Sequence, residues 1–438
     1  MNSTPTSPGS LDGKTVLRFA HAFATGGGME RILQDLDHAL LARNAMTIVR
    51  IYIASAAGET EHRVETIGRG RLVLVPLPLA DDDNRQLASD HEPTGFNLKQ
   101  ALRDWVIYNP LVWALWGRRY VINRPLRRQK GQVVGAGDCV EKLIKAYSID
   151  LCMMHYFGGA DADEIIQVAR SRNIPVALQN HFANDRFVHL AIRKHVLLAD
   201  AAAGMNALDV PSFLQGRFTN LADGIDLSCF DRKQTTLPEN LPADPILFLP
   251  SRIVKPKGQL DVIRAAAMLL AKGIRVSVRF AGRVDSPAFL EELKAEARRA
   301  GVESAVSFLG ELNPLQLRGW YAASAVLVFP TYHHEGLGRI TVEAQAMNLP
   351  VVAYATGGVP EGVLDGKTGF LVPTGDIATL SARIEQLLRD NDLRQQMGAH
   401  GRAFVEGTYS LEALAKRHEQ FYLSVIQARN GVGPASIA

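Results

Sequence analysis

Short apolar runs alternate with amphipathic helical stretches along most of the chain. In the first half, this pattern predicts strands at Thr15–Phe23, Thr47–Ala54, Arg71–Leu79, Asp150–Tyr156 and Pro175–Gln179. In the second half it predicts strands more regularly, at Ile246–Ile253, Val276–Ala281, Val306–Leu309, Ala325–Phe329 and Pro350–Tyr354. Such alternation is typical of parallel sheets built from βαβ units. The chain is therefore expected to be α/β, with two doubly wound, Rossmann-like domains facing a central cleft.

Changes in this pattern predict the domain boundaries. The first residues are rich in Ser, Thr, Pro and Gly and lack the apolar core of a signal peptide, so a flexible tail is expected. The segment Leu221–Pro245 has several prolines and little periodicity, which favours a linker with the boundary near residue 235. A last helix, Leu411–Arg429, is expected to cross back to the first domain. The predicted parts are a flexible tail at 1–13, a first domain at 14–235 and a second domain at 236–410. A C-terminal crossover helix with its own tail follows at 411–438.

Composition narrows the class of protein. Of 438 residues, 47% are hydrophobic and 21% are charged, which is ordinary for buried cores and argues against disorder or a coiled coil. The net charge of +3 does not favour a nucleic-acid partner. The spacing of Cys139, Cys152 and Cys229 predicts neither a disulfide scaffold nor a zinc site, which fits a reducing compartment. No apolar run reaches the roughly 18 residues of a spanning helix, so the chain is expected to be cytoplasmic, either soluble or lying on the inner face of a membrane.

The stretch Glu335–Glu343 has the most informative chemistry. It follows a predicted strand, leads into a helix and has glycines at positions 336 and 338. Glycines let the backbone approach a ligand closely, and the N-terminus of the following helix suits a diphosphate. A carboxylate beside a diphosphate would be repelled, so Glu335 and Glu343 are expected to accept hydrogen bonds from sugar and ribose hydroxyls. The alternative interpretation is that Glu343 simply occupies the first turn of a helix, where the dipole favours it.

Two further segments follow strand ends of the same domain. After the strand that begins at Ile246, Arg252 and Lys257 have the charge to neutralise a departing diphosphate, although an exposed basic turn has the same pattern. After the strand that ends at Tyr354, the Gly357-Gly358 pair predicts another glycine turn. Three phosphate-compatible features therefore follow strand ends in one domain.

Together these motifs make the chain resemble the retaining, GT-B-fold glycosyltransferases of family four, the glycosyl transferases group 1. The resemblance is strong from about Pro250 to Thr408. It extends more thinly to the Gly26–Glu30 loop, the strand ending at His181 and the segment Ala222–Asp226. The Glu-x7-Glu pattern is specific for this family when the Arg–Lys pair and the glycine pair accompany it.

The resemblance implies roles for individual residues. Glu343 would hold the nucleotide ribose, and Glu335 would hold hydroxyls of the donor sugar together with the backbone of Gly336, Leu337 and Gly338. Arg252 and Lys257 would hold the diphosphate. Gly27 and Gly28 would close on it from the first, acceptor-side domain, and His181 would lie near the transferred sugar.

The implied reaction is transfer of a sugar from a UDP- or GDP-linked donor to an acceptor hydroxyl with retention of anomeric configuration. The resemblance suggests front-face attack, so neither a protein nucleophile nor a cofactor beyond the donor is expected. The chain departs from the family at Asp223, where Asn is usual, at His333-His334, and at Arg339, which interrupts a normally apolar stretch. Arg339 is expected to face either the acceptor or an acidic neighbour.

Other classes of function stay open. Asp81/Asp83 and Asp161/Asp163 have the Asp-x-Asp spacing of metal-dependent transferases, but one pair lies in a charged loop and the other begins a helix, so no metal is expected. A sugar-nucleotide epimerase of the same architecture would need acid–base carboxylates, for which no clear set is found. A non-catalytic sugar-nucleotide-binding protein is disfavoured by the intact motif set.

The segment 99–130 concentrates positive charge. It has eight Lys or Arg against one acid, and three of the four tryptophans are interleaved with these bases. Aromatic and basic residues around a short apolar stretch are typical of a segment that lies in a membrane interface. The alternative is that the tryptophans pack in the core of the first domain beneath a solvated basic face. The membrane interpretation implies an anionic surface as partner and a lipid-linked or cell-surface glycan acceptor.

Overall fold

The computed structural model describes residues 10–20, 28–53, 62–77, 135–155, 160–180, 190–205, 216–221 and 223–429. These residues divide into two compact units. The first unit takes in the described chain up to Gly204, residues 216–221 and the chain from Ala415 onward. The second takes in Met205 and residues 223–414. The chain thus passes into the second unit after Leu221, ahead of the boundary expected near residue 235, and residues 223–245 of the expected linker are part of that unit.

A largely parallel sheet forms the first unit. Its described strands are β1 Thr15–Ala20, β2 Thr47–Ile53, β3 Arg63–Ile67, β4 Gly70–Leu77, β5 Leu151–Met154, β6 Val176–Asn180, β7 Ala201–Gly204 and β8 Phe218–Asn220. They are ordered β3-β4-β2-β1-β5-β6-β7-β8, and β3 pairs with β4 in the antiparallel direction. β1 is buried at every position, as expected for a parallel strand covered on both faces.

The described helices of this unit are α1 Gly28–Arg43, α2 Ala136–Ala146, α3 Ala160–Ser171 and α4 Leu190–Leu198. A cluster of buried charged residues connects the C-terminal helix, Leu411–Arg429, to strands and a helix of this unit. Arg18 in β1 donates hydrogen bonds to Asp37 in α1 and to Tyr422 in the C-terminal helix. Arg50 in β2 donates to the same carboxylate. A buried guanidinium persists only when it is paired, so these contacts hold the last helix on the first unit.

The second unit is built on a parallel sheet of six described strands. They are β9 Ile246–Pro250, β10 Ser277–Ala281, β11 Val306–Phe308, β12 Val326–Phe329, β13 Val351–Tyr354 and β14 Gly369–Val372. Their order is β11-β10-β9-β12-β13-β14. Numbered from β9, this is the 3-2-1-4-5-6 order of the Rossmann fold, in which ligands bind where the strand order reverses. That switch point lies between the carboxyl ends of β9 and β12.

The described helices of the second unit are α5 Gln259–Ala271, α6 Pro287–Arg299, α7 Pro314–Ala323, α8 Arg339–Ala346, α9 Val359–Gly362, α10 Ile377–Arg389 and α11 Asn391–Thr408. The C-terminal helix, Leu411–Arg429, is labelled α12. Side-chain caps explain where several begin. Ser286 caps α6, Asp376 caps α10 and Asp390 caps α11. Asn313 and Gln316 form a reciprocal capping box at α7. Among the described helices of the two units, none is both long and apolar enough to cross a bilayer.

Candidate functional site

Two loops meet at the switch point of the second unit. One follows β9 and contains a short 3-10 helix, Lys255–Lys257, and the other follows β12. The backbone N–H of Tyr332 donates to the carbonyl of Pro256 at 2.8 Å, and the hydroxyl of Thr331 donates to the same carbonyl at 3.2 Å. These bonds fix the two loops against each other, which positions the side chains that each of them carries.

The loops bring Lys257 and Glu335 together. The ammonium of Lys257 donates to Oε1 of Glu335, and the two side chains are 14% and 17% exposed. The hydroxyl of Thr331 lies 3.4 Å from the same oxygen, and the Lys257 ammonium lies 6.0 Å from the centre of the Phe329 ring. A cation and an acceptor are thus held in one partly buried place, where each interaction is screened less than on an open surface.

Glycines make the close approach of these loops possible. Gly258 has φ +76°, and a Cβ there would stand 1.9 Å from the carbonyl oxygen of Pro330. Gly357 has φ +55°, and a Cβ there would stand 2.6 Å from the carbonyl oxygen of Glu335. The next residue, Gly358, donates its N–H to that same carbonyl at 2.8 Å. The predicted Gly357-Gly358 turn therefore supports the backbone of Glu335 directly.

Helix α8 begins immediately after this loop. Its cap is Gly338, at φ +73°, and its first turn has no acidic residue. The first N–H groups of a helix have no intrahelical acceptor and carry the positive end of the dipole, so this terminus is suited to an anion. The side chain of Leu337 is buried with Ile225, Val342 and Tyr409 in a small apolar cluster, so its contribution to the site is its main chain.

Glu343 has two donors on different elements. Tyr321 of α7 donates its hydroxyl to Oε2 at 3.0 Å, and Arg339 donates to Oε1 at 2.9 Å from one turn earlier in α8. Complete burial raises the pKa of the Tyr321 hydroxyl well above its ordinary value, and the Glu343 carboxylate adds to that rise. Glu343 stands in the second turn of the helix, so the first-turn interpretation is wrong. Of the two neighbours expected for Arg339, the acidic one is found.

The structure does not bring the Arg252 side chain to the Lys257–Glu335 pair. Its guanidinium is 58% exposed and donates to Oδ2 of Asp285 at 2.8 Å, while Arg283 donates to Oδ1 at 2.7 Å. The bonds from Arg283 and Arg252 lower the pKa of Asp285. The Arg252 carbonyl is held by the buried side chain of Gln259 at 2.9 Å. The backbone of Arg252 is thus fixed beside the site, and its side chain has a surface partner.

Several predicted residues lie outside the described part of the chain. They are Gly27, His181, Asp81, Asp83 and the segment 99–130. Gly28 is the first residue of α1. Asp163 accepts hydrogen bonds from the buried Lys194 and from His195. Burial alone would raise the pKa of the Asp163 carboxyl, but these two bonds lower it below its ordinary value. Within the described ranges, no three His, Cys, Asp or Glu side chains group as metal ligands.

The sequence motifs did not indicate the residues that support the site from behind. Asp261 of α5 accepts hydrogen bonds from the hydroxyls of Tyr332 and Tyr354 at 2.7 and 2.8 Å. Burial and the Asp261 carboxylate raise the pKa of both tyrosines. This carboxylate ties the loop after β12 to the strand β13 and to α5. Tyr321 is a further supporting residue that spacing alone does not reveal.

The chain is similar to known glycosyltransferases both in sequence and in fold. Residues 231–404 match the family described as glycosyl transferases group 1. The matched residues lie within the second unit. The capsular polysaccharide biosynthesis glycosyltransferase CapM of Staphylococcus aureus is 27% identical over 54% of this chain and 61% of CapM. The D-inositol 3-phosphate glycosyltransferase of Streptomyces scabiei is 35% identical over 38% of this chain and 39% of that protein. The chain spans less than two thirds of the length of both relatives.

Solved structures with the same fold cover nearly the whole chain. A glycosyltransferase from Rickettsia africae aligns with a TM-score of 0.65 at 16% identity, over 94% of this chain and 99% of the other. Anabaena HepE, solved in complex with UDP, aligns with a TM-score of 0.63 at 15% identity, over 93% and 99%. At such identities the likeness concerns the fold. It confirms the predicted GT-B class of two Rossmann-like units.

Proposed function

We propose that this chain is a retaining glycosyltransferase that moves a sugar from a nucleoside diphosphate sugar to an acceptor hydroxyl. The strongest support comes from the Lys257–Glu335 pair. It lies at the switch point of a Rossmann-like unit, beside the N-terminus of α8 and the glycines that precede that helix. A diphosphate requires cations and N–H donors, and a sugar requires acceptors. This edge of the sheet offers both within two adjoining loops.

The second unit is proposed to bind the donor. The N-terminus of α8 and the backbone of Gly336, Leu337 and Gly338 receive the diphosphate, with Lys257 and Arg252 as its cations. Glu335 accepts hydrogen bonds from the hydroxyls of the donor sugar. Arg252 reaches the diphosphate by leaving Asp285, an exposed ion pair of the kind that contributes little.

Glu343 is proposed to hold the ribose. A carboxylate has about four lone-pair sites, and Tyr321 and Arg339 occupy two of them. The two that remain match the two hydroxyls of a ribose diol. Because its existing donors come from two different helices, the carboxylate is already oriented before a nucleotide arrives, which lowers the entropy cost of binding.

The reaction is proposed to proceed at the front face of the donor sugar. The bond from the anomeric carbon to the leaving phosphate breaks, and the bond to the acceptor oxygen forms on the same face. The acceptor's proton passes to the departing phosphate. Lys257 and Arg252 stabilise the negative charge that develops on the diphosphate, and for this reason we propose a metal-independent transfer. From the first unit, Gly27 and Gly28 are proposed to close on the diphosphate, and His181 is proposed to lie near the transferred sugar.

A lipid-linked or cell-surface glycan is proposed as the acceptor. The name of CapM refers to capsular polysaccharide, and a relative from Corynebacterium glutamicum is named a phosphatidylinositol monomannoside mannosyltransferase, which supports this class. The segment 99–130 is proposed to bind the anionic inner face of a membrane, at about 1 kcal/mol per basic residue near the surface. Wild-type protein is expected to pellet with anionic vesicles and to be released by salt. Substitution of Arg118, Arg119, Arg127 and Arg128 by Glu is expected to abolish pelleting, and equal behaviour of the two proteins would contradict the membrane proposal.

Incubation with a panel of nucleotide sugars tests the reaction. Nucleoside diphosphate release that depends on an acceptor, with an anomeric proton coupling in the product that matches the donor, supports retaining transfer. An epimerised donor without transfer indicates an isomerase, and binding without turnover indicates a non-catalytic protein. Either of these last results would overturn the proposal.

A further inference from the structure

A polar cavity lies at the other edge of the sheet in the second unit, away from the candidate donor site. It has a volume of about 310 Å³. Ala325 and Pro350 line it, and they immediately precede β12 and β13, so the cavity opens at the amino ends of these strands. Glu335 follows the carboxyl end of β12. The strand itself therefore separates this cavity from the candidate donor site.

Two arginines from distant parts of the sequence line the cavity. Arg232 precedes β9, and Arg394 lies in the first turns of α11. Arg232 donates to the carbonyl of Met347 at 3.0 Å. Arg394 donates to the carbonyl of Leu387 at 3.1 Å and to the side chain of Asn391 at 2.6 Å. Each guanidinium has five N–H groups, so these bonds use one donor on Arg232 and two on Arg394.

Within residues 223–429, neither arginine has a carboxylate oxygen within 4.0 Å. Other arginines nearby differ, because Arg389 at the end of α10 pairs with Glu385 at 2.8 Å and Arg402 of α11 pairs with Glu406 at 2.6 Å. Asp390 is engaged as the cap of α11, where it accepts from the N–H of Leu393 at 2.8 Å, and Asp392 lies in the first turn of the same helix. Desolvation and the charge of Arg394 lower the pKa of Arg232, so the two cations repel each other across a shared space. An anion between them would relieve that repulsion.

We propose that this cavity binds a phosphomonoester of a small polyhydroxylated molecule. Planar guanidinium groups pair with phosphate oxygens through two parallel hydrogen bonds, which makes arginine the preferred residue for this chemistry. The volume stands at the lower end of the range of about 300–1,000 Å³ for small-molecule sites. The amides of Asn348 and Gln395 offer both donors and acceptors to hydroxyl groups.

Calorimetric titration tests the site without reference to the proposed donor reaction. Glucose 6-phosphate, inorganic phosphate and glucose are titrated into the full chain carrying Lys257→Ala, which weakens phosphate binding at the donor site. Glucose 6-phosphate is expected to bind with one equivalent, inorganic phosphate more weakly, and glucose without measurable heat. Binding of glucose 6-phosphate no tighter than that of inorganic phosphate would overturn the polyhydroxylated part of the proposal. Loss of all phosphate binding in the Lys257→Ala protein would overturn the whole proposal.

Substitutions in the cavity make the test specific. In that background, Arg232→Gln and Arg394→Gln are each expected to weaken glucose 6-phosphate binding about tenfold or more, since a hydrogen bond to a charged group contributes about 1.5–3 kcal/mol. Gln395→Glu places a carboxylate at an exposed position of the rim and is expected to abolish binding without a loss of folding. Arg383→Gln is the matched control, because Arg383 is bonded to Gln386 and stacked at 4.5 Å on Phe370, and it is not a lining residue of the cavity. Equal binding by all four variants would contradict the assignment.

Discussion

Substitution of Glu335 by alanine separates the role of this carboxylate from nucleotide binding. In the free protein Glu335 accepts a hydrogen bond from Lys257, and the two side chains are largely buried. Loss of the carboxylate removes the proposed acceptor for the donor sugar's hydroxyls. It also releases the Lys257 ammonium, which can then give all three of its N–H donors to the diphosphate. We therefore expect catalysis to fall while affinity for the nucleoside diphosphate is kept or improved.

The magnitude follows from the number of bonds lost. A hydrogen bond to a charged group contributes about 1.5–3 kcal/mol. Two such bonds to sugar hydroxyls, strengthened in the transition state, would add about 3–6 kcal/mol to the barrier, which is a factor of roughly 10²–10⁴ in kcat. The loss falls on kcat rather than on nucleotide affinity because the nucleotide itself does not carry these hydroxyls.

The assay combines initial rates of acceptor-dependent nucleotide release with calorimetry of the free nucleotide. Glu291→Ala is a matched control, since Glu291 is an exposed carboxylate of α6 that likewise pairs with a lysine, Lys294, at 2.8 Å. This control is expected to leave both measurements unchanged. Near-normal turnover of Glu335→Ala would refute the assignment. A loss of nucleotide affinity as large as the loss of turnover would refute the reasoning about Lys257.

Three further substitutions probe the supports of the site. Glu343→Ala is expected to weaken nucleotide binding by about a hundredfold or more, through two lost bonds to the ribose, with little change in kcat at saturating donor. Unchanged affinity in calorimetry would contradict the ribose assignment. Gly357→Ala places a Cβ 2.6 Å from the carbonyl of Glu335 and is expected to reduce turnover, with secondary structure retained by circular dichroism; full activity would show that the turn does not position Glu335. Tyr354→Phe removes one donor from the buried Asp261 and is expected to cost about 1–3 kcal/mol of unfolding free energy; an unchanged urea midpoint would contradict the supporting role of this carboxylate.

Apolar strands rich in β-branched or aromatic residues were predictable from the sequence, and strands without that pattern were not. The predictions at Thr15, Ile246 and Pro350 begin within a residue of β1, β9 and β13. The strand β7 reads AAAG, which has no β-branched or aromatic residue to distinguish it from a helix or a loop. β3 lies at the sheet edge and is mostly exposed, so it lacks the apolar pattern of its neighbours. Whether such segments form strands depends on the neighbouring strands with which they pair.

At the site, the sequence indicated which residues carry the chemistry but not all of their partners. Glu335 and Lys257 are 78 positions apart and meet because β9 and β12 are neighbours in the sheet. Tyr321 reaches Glu343 from another helix, and no spacing rule connects them. Arg252 and Asp285 are 33 positions apart and follow the neighbouring strands β9 and β10, so local propensity does not reveal this pair.

We propose above all that the switch point between β9 and β12 binds a nucleoside diphosphate. A thermal-shift screen of UDP, GDP and ADP selects the nucleotide, because a ligand that binds the folded state raises its melting temperature. A crystal structure with that nucleotide then gives the most direct test. The diphosphate is expected at the N-terminus of α8, in contact with Lys257, with the ribose hydroxyls on Glu343. Electron density for the nucleotide anywhere else on the chain, with this edge of the sheet empty, would contradict the claim.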